Sequence, residues 1–290
     1  MTTDVSTSLC KTACLSLSNT LSVVSIQLRS PNIEVTNDPN WREQIRITWT
    51  FLYRNYVIKP DMNSHTFIHV SLARGGARPG GSIMDLQDIK KIAQCVIHFE
   101  TALQVLIPQT RRGDHSAMSN WIDNDKFLEK AFSRRKAIEM IESCNSTREV
   151  VELTSPDKLL RPWTDQICFS WNFRTLSKYK SIEFRSAGTD LGSDTATAWA
   201  ELVLLFVRAA IQISGPEFLR QIPANVGELK KFLGLDKLKN LKPIFDGKKD
   251  DESMQPEITR FQGTREQGKL QTRLKADEEL VRRLAEGQMI

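Results

Sequence analysis

A glutamate and an arginine stand two residues apart in the stretch KSIEFRSAGTD, residues 180–190. Because successive side chains of a β-strand point to opposite faces, Glu183 and Arg185 would share one face, with Ile182 and Phe184 on the other. A solvated face of an antiparallel sheet is one explanation for such a pair. The alternative is a ligand-binding face, on which polar residues converge on a charged group.

Three further segments alternate polar and apolar residues in the same way: SVVSIQLRSP, TFIHVSL and QICFSWNF. Their apolar positions supply a core, and their polar positions include Gln27, His69 and Asn172. Solvent-facing strands usually carry Thr, Lys and Glu in no special pattern. We therefore expect Gln27, His69, Asn172, Glu183 and Arg185 to share a ligand-binding face of one sheet.

The elements between these strands show helical spacing of apolar residues. The predicted helices begin after Asp38-Pro39, at Asp85, near Asp125, at Ser193 or Asp194, and near Asn225. EVVELT, residues 149–154, is predicted as one more strand. The mixed order of helices and alternating strands predicts an α+β fold, with a mainly antiparallel sheet and helices packed on one face.

The length of 290 residues and the 40% hydrophobic content allow a substantial core. Residues 1–21 are rich in Ser and Thr without periodicity and are predicted to form a disordered leader. Residues 22–245 are predicted to form the α+β domain. Residues 246–290 are predicted to form a charged linker and a solvated C-terminal helix with a thin leucine stripe.

Charge, cysteine and hydropathy patterns indicate a cytoplasmic protein. The net charge of +5 is spread over 40 basic and 35 acidic side chains, which does not favour nucleic-acid binding. The five scattered cysteines have no metal-binding spacing and are expected to be reduced thiols. No apolar run approaches the roughly 20 residues that span a membrane. The most apolar segment, AWAELVLLFVRAAIQI, contains Glu201 and Arg208 and is predicted to be a buried soluble helix.

Four segments, taken in order, resemble the amidoligase family, in particular its fungal members: TFIHVSL, FETALQVLIPQTRRGDHSAMSN, WNFRTLSKYKSIEFRSAGTD and WAELVLLFVRAAI. The resemblance covers roughly residues 24–213. Its strongest element comprises Asn172, Leu176, residues 182–185 and Gly188. The resemblance implies a glutamine-synthetase-like fold of the carboxylate-amine ligase type, in which the polar face of an antiparallel sheet holds ATP and a divalent metal.

Such ligases activate a carboxylate as an acyl phosphate, which an amine then attacks to form an amide. Phosphoryl transfer depends on oxygen ligands for Mg²⁺ and on Arg or Lys at the phosphates. The implied substrates are a small-molecule carboxylate and amine, or a peptide. The resemblance assigns catalysis to Glu183 and Arg185, metal binding to Glu183 and Gln27, and ATP binding to His69, Arg111, Asn172 and Arg185. Considered alone, His69 is more typical of a structural histidine, and Arg111 of a solvated loop.

The chain departs from the family pattern at three places. Nothing before Val23 resembles the family's glutamate-rich first strand, Gln27 stands where a glutamate is usual, and Phe67 stands at the first position of a His-x-His pair. A neutral amide and a phenyl ring cannot replace anionic or imidazole ligands. The alternatives are a degenerate ligase, a non-catalytic pseudoenzyme or interaction protein, and a chain truncated before its first strand. We expect weak or no Mg·ATP binding.

Overall fold

The structure is a computed structural model that describes residues 4–13, 26–35, 40–56, 58, 65–73, 84–114, 116–128, 133–156, 169–188, 192–234 and 239–255. The strands in these ranges are β1 (Asp4–Ala13), β2 (Ile26–Val35), β3 (His65–Ala73), β4 (Trp171–Asn172) and β5 (Ile182–Ala187). The helices are α1 (Asn40–Asn55), α2 (Leu86–Leu106), α3 (Asp125–Leu128), α4 (Arg134–Glu142), α5 (Thr147–Thr154), α6 (Thr175–Tyr179), α7 (Ser193–Gln212), α8 (Pro216–Arg220), α9 (Val226–Leu233) and α10 (Lys242–Phe245). A 3-10 helix spans Gln109–Arg111.

The five strands form a single sheet in the order β2-β1-β3-β5-β4. Every neighbouring pair is antiparallel. The predicted α+β class with a mainly antiparallel sheet is therefore confirmed. Because β3 and β5 come from distant parts of the chain, their pairing brings residues separated by more than a hundred positions onto one surface.

The predicted leader is wrong for residues 4–13, which form strand β1 between β2 and β3. Thr7 pairs with Ile33 of β2 and with Val70 of β3, so β1 is hydrogen-bonded on both sides. Serine and threonine runs resemble loops in composition, but threonine is also favoured in strands. Tertiary pairing decides between the two. The rest of the predicted leader lies outside the described residues.

Strand β2 continues beyond Pro31, where the sequence predicted its end. Proline lacks the N–H that a sheet ladder needs, so it is confined to edge strands and bulges. Strand β2 lies at one end of the strand order, and its register against β1 shifts between the Ser8–Asn32 and Cys10–Arg29 pairs. Pro31 therefore falls in a bulge of an end strand.

Residues 147–154, within which a strand was predicted, form helix α5. The Ser146 hydroxyl accepts a hydrogen bond from the Glu149 backbone N–H at 3.2 Å, and the Glu149 carboxylate accepts one from the Asn145 N–H at 2.8 Å. These contacts satisfy backbone donors that a helix start leaves unpaired. The local cap outweighs the strand preference of the two valines.

The other predicted helices are present with small corrections. Asp85 caps α2 by accepting a hydrogen bond from the Asp88 N–H, and Asn225 caps α9 from the Glu228 N–H. The predicted helix near Asp125 contains two shorter helices, α3 and α4, with residues 129–132 outside the described ranges. Helix α1 buries Trp41, Ile45, Trp49 and Leu52, whose spacing is helical, whereas Tyr56 just beyond its end is exposed.

The apolar face of the sheet packs against α7, as the alternation predicted, and α2 packs on α7 in turn. Ile68, Val70, Ile182 and Phe184 are each at most 1% exposed and belong to one large core cluster. The Phe184 ring stacks on Trp199 of α7 with ring centres 5.8 Å apart. The opposite face of β3 and β5 is thereby left to the polar residues.

Helix α7 contains the most apolar segment of the chain and lies in the core. Within the described ranges, none of the helices has both the length and the apolar character that crossing a membrane requires.

Residues 246–255 contact the domain instead of forming the predicted linker. The Asp250 and Glu252 carbonyls accept hydrogen bonds from the Gly227 and Val226 N–H groups at the start of α9, at 2.7 and 2.9 Å. The Met254 N–H donates to the Thr101 carbonyl of α2 at 2.9 Å. This segment therefore satisfies helix-terminal donors and belongs to the folded unit. The predicted C-terminal helix beyond residue 255 lies outside the described residues.

We predict that Gly227→Ala destabilises the protein by about 1–3 kcal/mol, because a Cβ at Gly227 would lie 2.9 Å from Asp250 Cβ and 3.1 Å from its carbonyl oxygen. In an open helix the same change would stabilise by up to about 1 kcal/mol. Urea unfolding measures the effect. The control is Gly192→Ala, where nothing lies within 4 Å of the added Cβ and at most about 1 kcal/mol is expected. Equal stability of wild type and Gly227→Ala would mean that residues 250–252 do not pack on α9.

Candidate functional site

Three strands bring polar residues together on the face of the sheet opposite the core. His69 of β3 and Asn172 of β4 are both paired in register with Glu183 of β5. Residues directly opposite in an antiparallel pair project to the same face with Cβ atoms about 5 Å apart. The register therefore aligns His69, Glu183 and Asn172 across the sheet, and Arg185 follows on the same face of β5.

The Glu183 carboxylate lies at the centre of this cluster and is 6% exposed. Its Oε2 atom accepts hydrogen bonds from Asn172 Nδ2 at 2.8 Å and from Arg185 Nη1 at 3.0 Å. Its Oε1 atom lies 3.4 Å from His69 Nε2. Burial raises the pKa of Glu183, but the His69 hydrogen bond, the Arg185 charge and the Asn172 amide together outweigh it and lower the pKa to about 2. Glu183 is therefore buried and ionised, which excludes the solvated face considered from the sequence.

The His69 ring is held at both of its nitrogens. Its Nδ1 atom lies 3.1 Å from Ser181 Oγ, and its Nε2 atom faces Glu183. An ionised carboxylate only accepts hydrogen bonds, so Nε2 carries the hydrogen. The ring also meets Tyr179 edge to face, with ring centres 5.8 Å apart. These contacts fix the orientation of His69 towards Glu183.

The Arg185 guanidinium is fixed by a carbonyl, a carboxylate and an aromatic ring. Its Nε donates to the Ser116 carbonyl at 2.9 Å, and Nη1 donates to Glu183. The guanidinium carbon lies 4.0 Å from the centre of the Phe67 ring, a distance typical of cation–π contact. Within the described part of the chain, Nη2 makes no hydrogen bond of its own. Phe67 thus supports the guanidinium at a position where the family resemblance implies a histidine.

Arg111 lies beside the cluster and contacts the backbone of β5. Its Nη2 donates to the Arg185 carbonyl at 3.0 Å, and Nη1 pairs with Asp114. Burial and the nearby Arg185 charge lower the pKa of Arg111, while Asp114 raises it. Arg111 therefore steadies the strand that carries Glu183 and Arg185.

Gln27, the predicted second metal position, is not brought to this cluster. It pairs with Thr12 of β1, which pairs with His65 at the start of β3. His65 lies four positions before His69, a separation of about 13 Å along the strand. Gln27 is also two strands away from β3.

The donor set around Glu183 does not fit Mg²⁺. This ion requires near-octahedral oxygen coordination, usually with carboxylate ligands. Among the described residues, Glu183 is the only carboxylate in contact with His69, Asn172 and Arg185, and a cationic guanidinium already bonds its Oε2. In the ranges that the structure describes, no three His, Cys, Asp or Glu residues are grouped to hold a metal ion.

Several contacts of the site were not predicted from the sequence. Ser181 directly precedes β5, and Ser116 contributes a backbone carbonyl, which residue type does not reveal. Phe67 alternates in phase with His69, so its place on the polar face follows from period two. Its contact with Arg185 does not, because it depends on the pairing of β3 with β5.

The fold and the site define an α+β domain with a buried, ionised glutamate bonded to histidine, asparagine and arginine. Searches against protein-family models, curated protein sequences and solved structures find no match to this chain. The catalytic, metal-binding and ATP-binding roles of the residues named above stay predictions.

Another buried carboxylate, Glu100 of α2, holds the loop that contains Asn120, whose side chain contacts Trp171 of β4. Its Oε1 accepts a hydrogen bond from the Asn120 N–H at 2.8 Å, and it is 4% exposed. Burial raises the pKa of Glu100 to about 7, although hydrogen bonds from Ser119 and Asn120 oppose the shift. The pKa values of Glu183 and Glu100 therefore lie on opposite sides of the ordinary value for a glutamate.

We predict that Glu183→Gln removes at most about 3 kcal/mol of stability at pH 7. The pKa of Glu183 is about 2 in the folded protein against 4.5 for the free side chain. Its contribution is therefore complete above pH 4.5 and is lost as the pH falls towards 2. Urea unfolding from pH 3 to pH 7 should show the two proteins converging at the acidic end. A constant difference across this range would contradict the assigned charge of Glu183.

We predict that Glu100→Gln changes the free energy of unfolding in the opposite direction to Glu183→Gln, so that it stabilises the protein at high pH. Because the pKa of Glu100 rises from 4.5 to about 7 on folding, wild-type stability falls as the pH increases through that window and stays low above it. The glutamine variant lacks this loss and should be the more stable protein at pH 8, by up to about 3 kcal/mol. Urea unfolding at pH 5 and pH 8 tests this. A variant that is less stable at pH 8 would show that the Glu100 carboxylate is stabilised by its surroundings.

Proposed function

We propose that this chain is a non-catalytic relative of the carboxylate-amine ligases that binds the carboxylate or phosphate group of a small molecule through Arg185. In this proposal the antiparallel sheet is glutamine-synthetase-like, and its polar face has kept an anion site without the metal site. The buried free thiols of Cys95 and Cys144 support a cytosolic location.

The observation that carries the proposal is the fixed guanidinium of Arg185. Ser116 and Glu183 use Nε and one hydrogen of Nη1, and Phe67 covers one face of the group. Among the described residues, the two hydrogens of Nη2 and the second hydrogen of Nη1 have no acceptor. An arginine edge held in this way can donate two parallel hydrogen bonds to a carboxylate or phosphate. Little side-chain entropy is lost on binding, because the group is already immobilised.

The state of Glu183 supports a non-catalytic role. Both carboxylate oxygens already face donors, and Arg185 lies where it would repel a divalent cation. Acyl-phosphate chemistry relies on metal ions that bridge the phosphates and neutralise the developing charge. Within the described residues, Glu183 serves instead as the counter-ion that aligns Arg185.

The same counter-ion limits the affinity. Hydrogen bonds to charged groups contribute about 1.5–3 kcal/mol each, and association costs several kcal/mol. Once the association cost is subtracted, two such bonds from a guanidinium that is already paired with Glu183 correspond at best to millimolar binding of a simple oxyanion. A natural ligand would need further contacts on the same face, and exposed Tyr179 beside His69 is placed to provide one.

We predict that the wild type binds inorganic phosphate and acetate at millimolar concentration without Mg²⁺, measured by isothermal titration. Arg185→Ala should weaken binding at least about tenfold, since it removes both donors. Arg185→Lys should also weaken it, because an ammonium cannot present the guanidinium edge. The control is Arg148→Ala, which removes the same charge from an exposed i,i+4 pair with Glu152 and should leave the affinity unchanged.

Two results would overturn the proposal. Equal weakening by Arg148→Ala and Arg185→Ala would indicate a general charge effect. Tight ATP binding that requires Mg²⁺, with ADP released when a carboxylate and an amine are supplied together, would establish an active ligase.

A further inference from the structure

Strand β4, which carries Asn172, is only two residues long. Its register with β5 consists of the Trp171–Phe184 and Asn172–Glu183 pairs. So short a strand supplies too few ladder hydrogen bonds to fix its own position. Asn172 is also held locally, because its Oδ1 accepts from the Arg174 N–H at 3.1 Å and its carbonyl accepts from the Thr175 hydroxyl at 2.9 Å. The donation from Asn172 to Glu183 at 2.8 Å depends on these contacts together with whatever holds the other edge of β4.

The side chain of Asn120 bonds that other edge as a neighbouring strand would. Its Oδ1 accepts from the Trp171 N–H at 2.9 Å, and its Nδ2 donates to the Trp171 carbonyl at 2.8 Å. One amide group thus satisfies both backbone groups of Trp171, the residue next to Asn172. The Nδ2 atom also lies 3.2 Å from the Thr154 carbonyl at the end of α5.

Asn120 is itself fixed from several directions and is fully buried. Its N–H donates to Glu100 of α2, and its carbonyl accepts from Asn124 Nδ2 at 3.1 Å. The Asn124 amide also donates to the Leu153 carbonyl at 2.9 Å. The neighbouring Asn124 is also fully buried, and its Oδ1 accepts a hydrogen bond from the Lys126 N–H at 3.0 Å. Among the described residues, Asn124 therefore reaches β4 only through Asn120.

We propose that Asn120 is a positioning residue for the oxyanion site, acting through Trp171 and Asn172 on Glu183. This inference rests on the proposed function of Arg185. Asn172 and Arg185 donate to the same oxygen, Oε2 of Glu183. When Asn172 moves away, Oε2 of Glu183 is left to Arg185 alone, while Oε1 keeps its contact with His69. Arg185 is then more strongly neutralised, and its affinity for an external anion falls.

The test uses Asn120→Asp, which keeps the shape but places an oxygen against the Trp171 and Thr154 carbonyls. Two quantities are measured by NMR on protein labelled with ¹³C at the glutamate carboxyls: the titration midpoint of Glu183 and the dissociation constant for acetate. The wild-type carboxyl should stay ionised to the lowest pH at which the protein is folded. In Asn120→Asp the midpoint should rise towards 4.5, the ordinary value, and acetate binding should weaken at least about threefold.

Asn225→Ala is the control for a loss of stability alone. It removes the cap of α9, where Asn225 Oδ1 accepts a hydrogen bond from the Glu228 N–H at 2.9 Å, and should lower the melting temperature without moving the Glu183 midpoint. In an Asn172→Ala background, Asn120→Asp should cause no further rise of the midpoint, because the connecting side chain is gone. Should Asn120→Asp fail to fold, Asn120→Ser, which introduces no charge, should show the same change.

The inference is overturned if the Asn120 variants leave the midpoint unchanged, if Asn225→Ala moves it equally, or if Asn120→Asp still raises it when Asn172 is absent. A wild type that binds no acetate would refute the proposed function. The Glu183 midpoint would still decide the role of Asn120 in that case.

Discussion

The burial of one negative charge governs the polar face of this sheet. An ionised carboxylate taken out of water costs several kcal/mol unless opposite charge and hydrogen bonds replace the lost solvent. Glu183 meets this requirement with donors from three different strands: His69, Asn172 and Arg185. Each of these three donors lies on a β-strand, so the register of the strands sets its position. The cluster can therefore form only when β3, β4 and β5 are paired as observed.

The same strand pairing places the core residues and the polar cluster on opposite faces of the sheet. The alternation of side chains along a strand directs Ile68, Ile182 and Phe184 towards the core and α7, and directs the charged residues to the other face. The aromatic contact of Phe184 with Trp199 and the polar contacts of Glu183 lie on opposite sides of one strand. Movement of β5 by one residue would bury the charges in the apolar core and expose the core residues, so both faces enforce one register.

The parts of this arrangement that follow from local rules were predictable from the sequence. Alternation placed His69, Glu183 and Arg185 on one face, and the Asp85 and Asn225 caps located two helix starts. Strand β1 was missed because its evidence is the pairing with β2 and β3 and not its composition. Helix α5 was missed because two adjacent valines favour a strand while the Ser146 cap favours a helix.

The remaining features of the site depend on contacts between distant segments. No local pattern shows that Phe67 supports Arg185, that the Ser116 carbonyl holds its Nε, or that Asn120 closes the edge of β4. Gln27 illustrates the converse, because alternation placed it on the polar face but the strand order separates it from Glu183. The face of the sheet on which a side chain lies can be predicted from one strand. The residues that lie next to it can be predicted only from the order and register of all the strands.

The central claim is that Arg185 binds an oxyanion without a metal, and the guanidinium resonances of Arg185 test it most directly. In protein labelled with ¹⁵N-arginine, the Nη protons of Arg185 should shift saturably when phosphate is added, and the shift should be the same with and without Mg²⁺. Its Nε proton should stay protected by the Ser116 carbonyl throughout. Oxyanion binding at Arg185 without a metal would be contradicted if the Arg185 chemical shifts did not change on addition of phosphate. It would also be contradicted if they changed only when Mg²⁺ and ATP were both present.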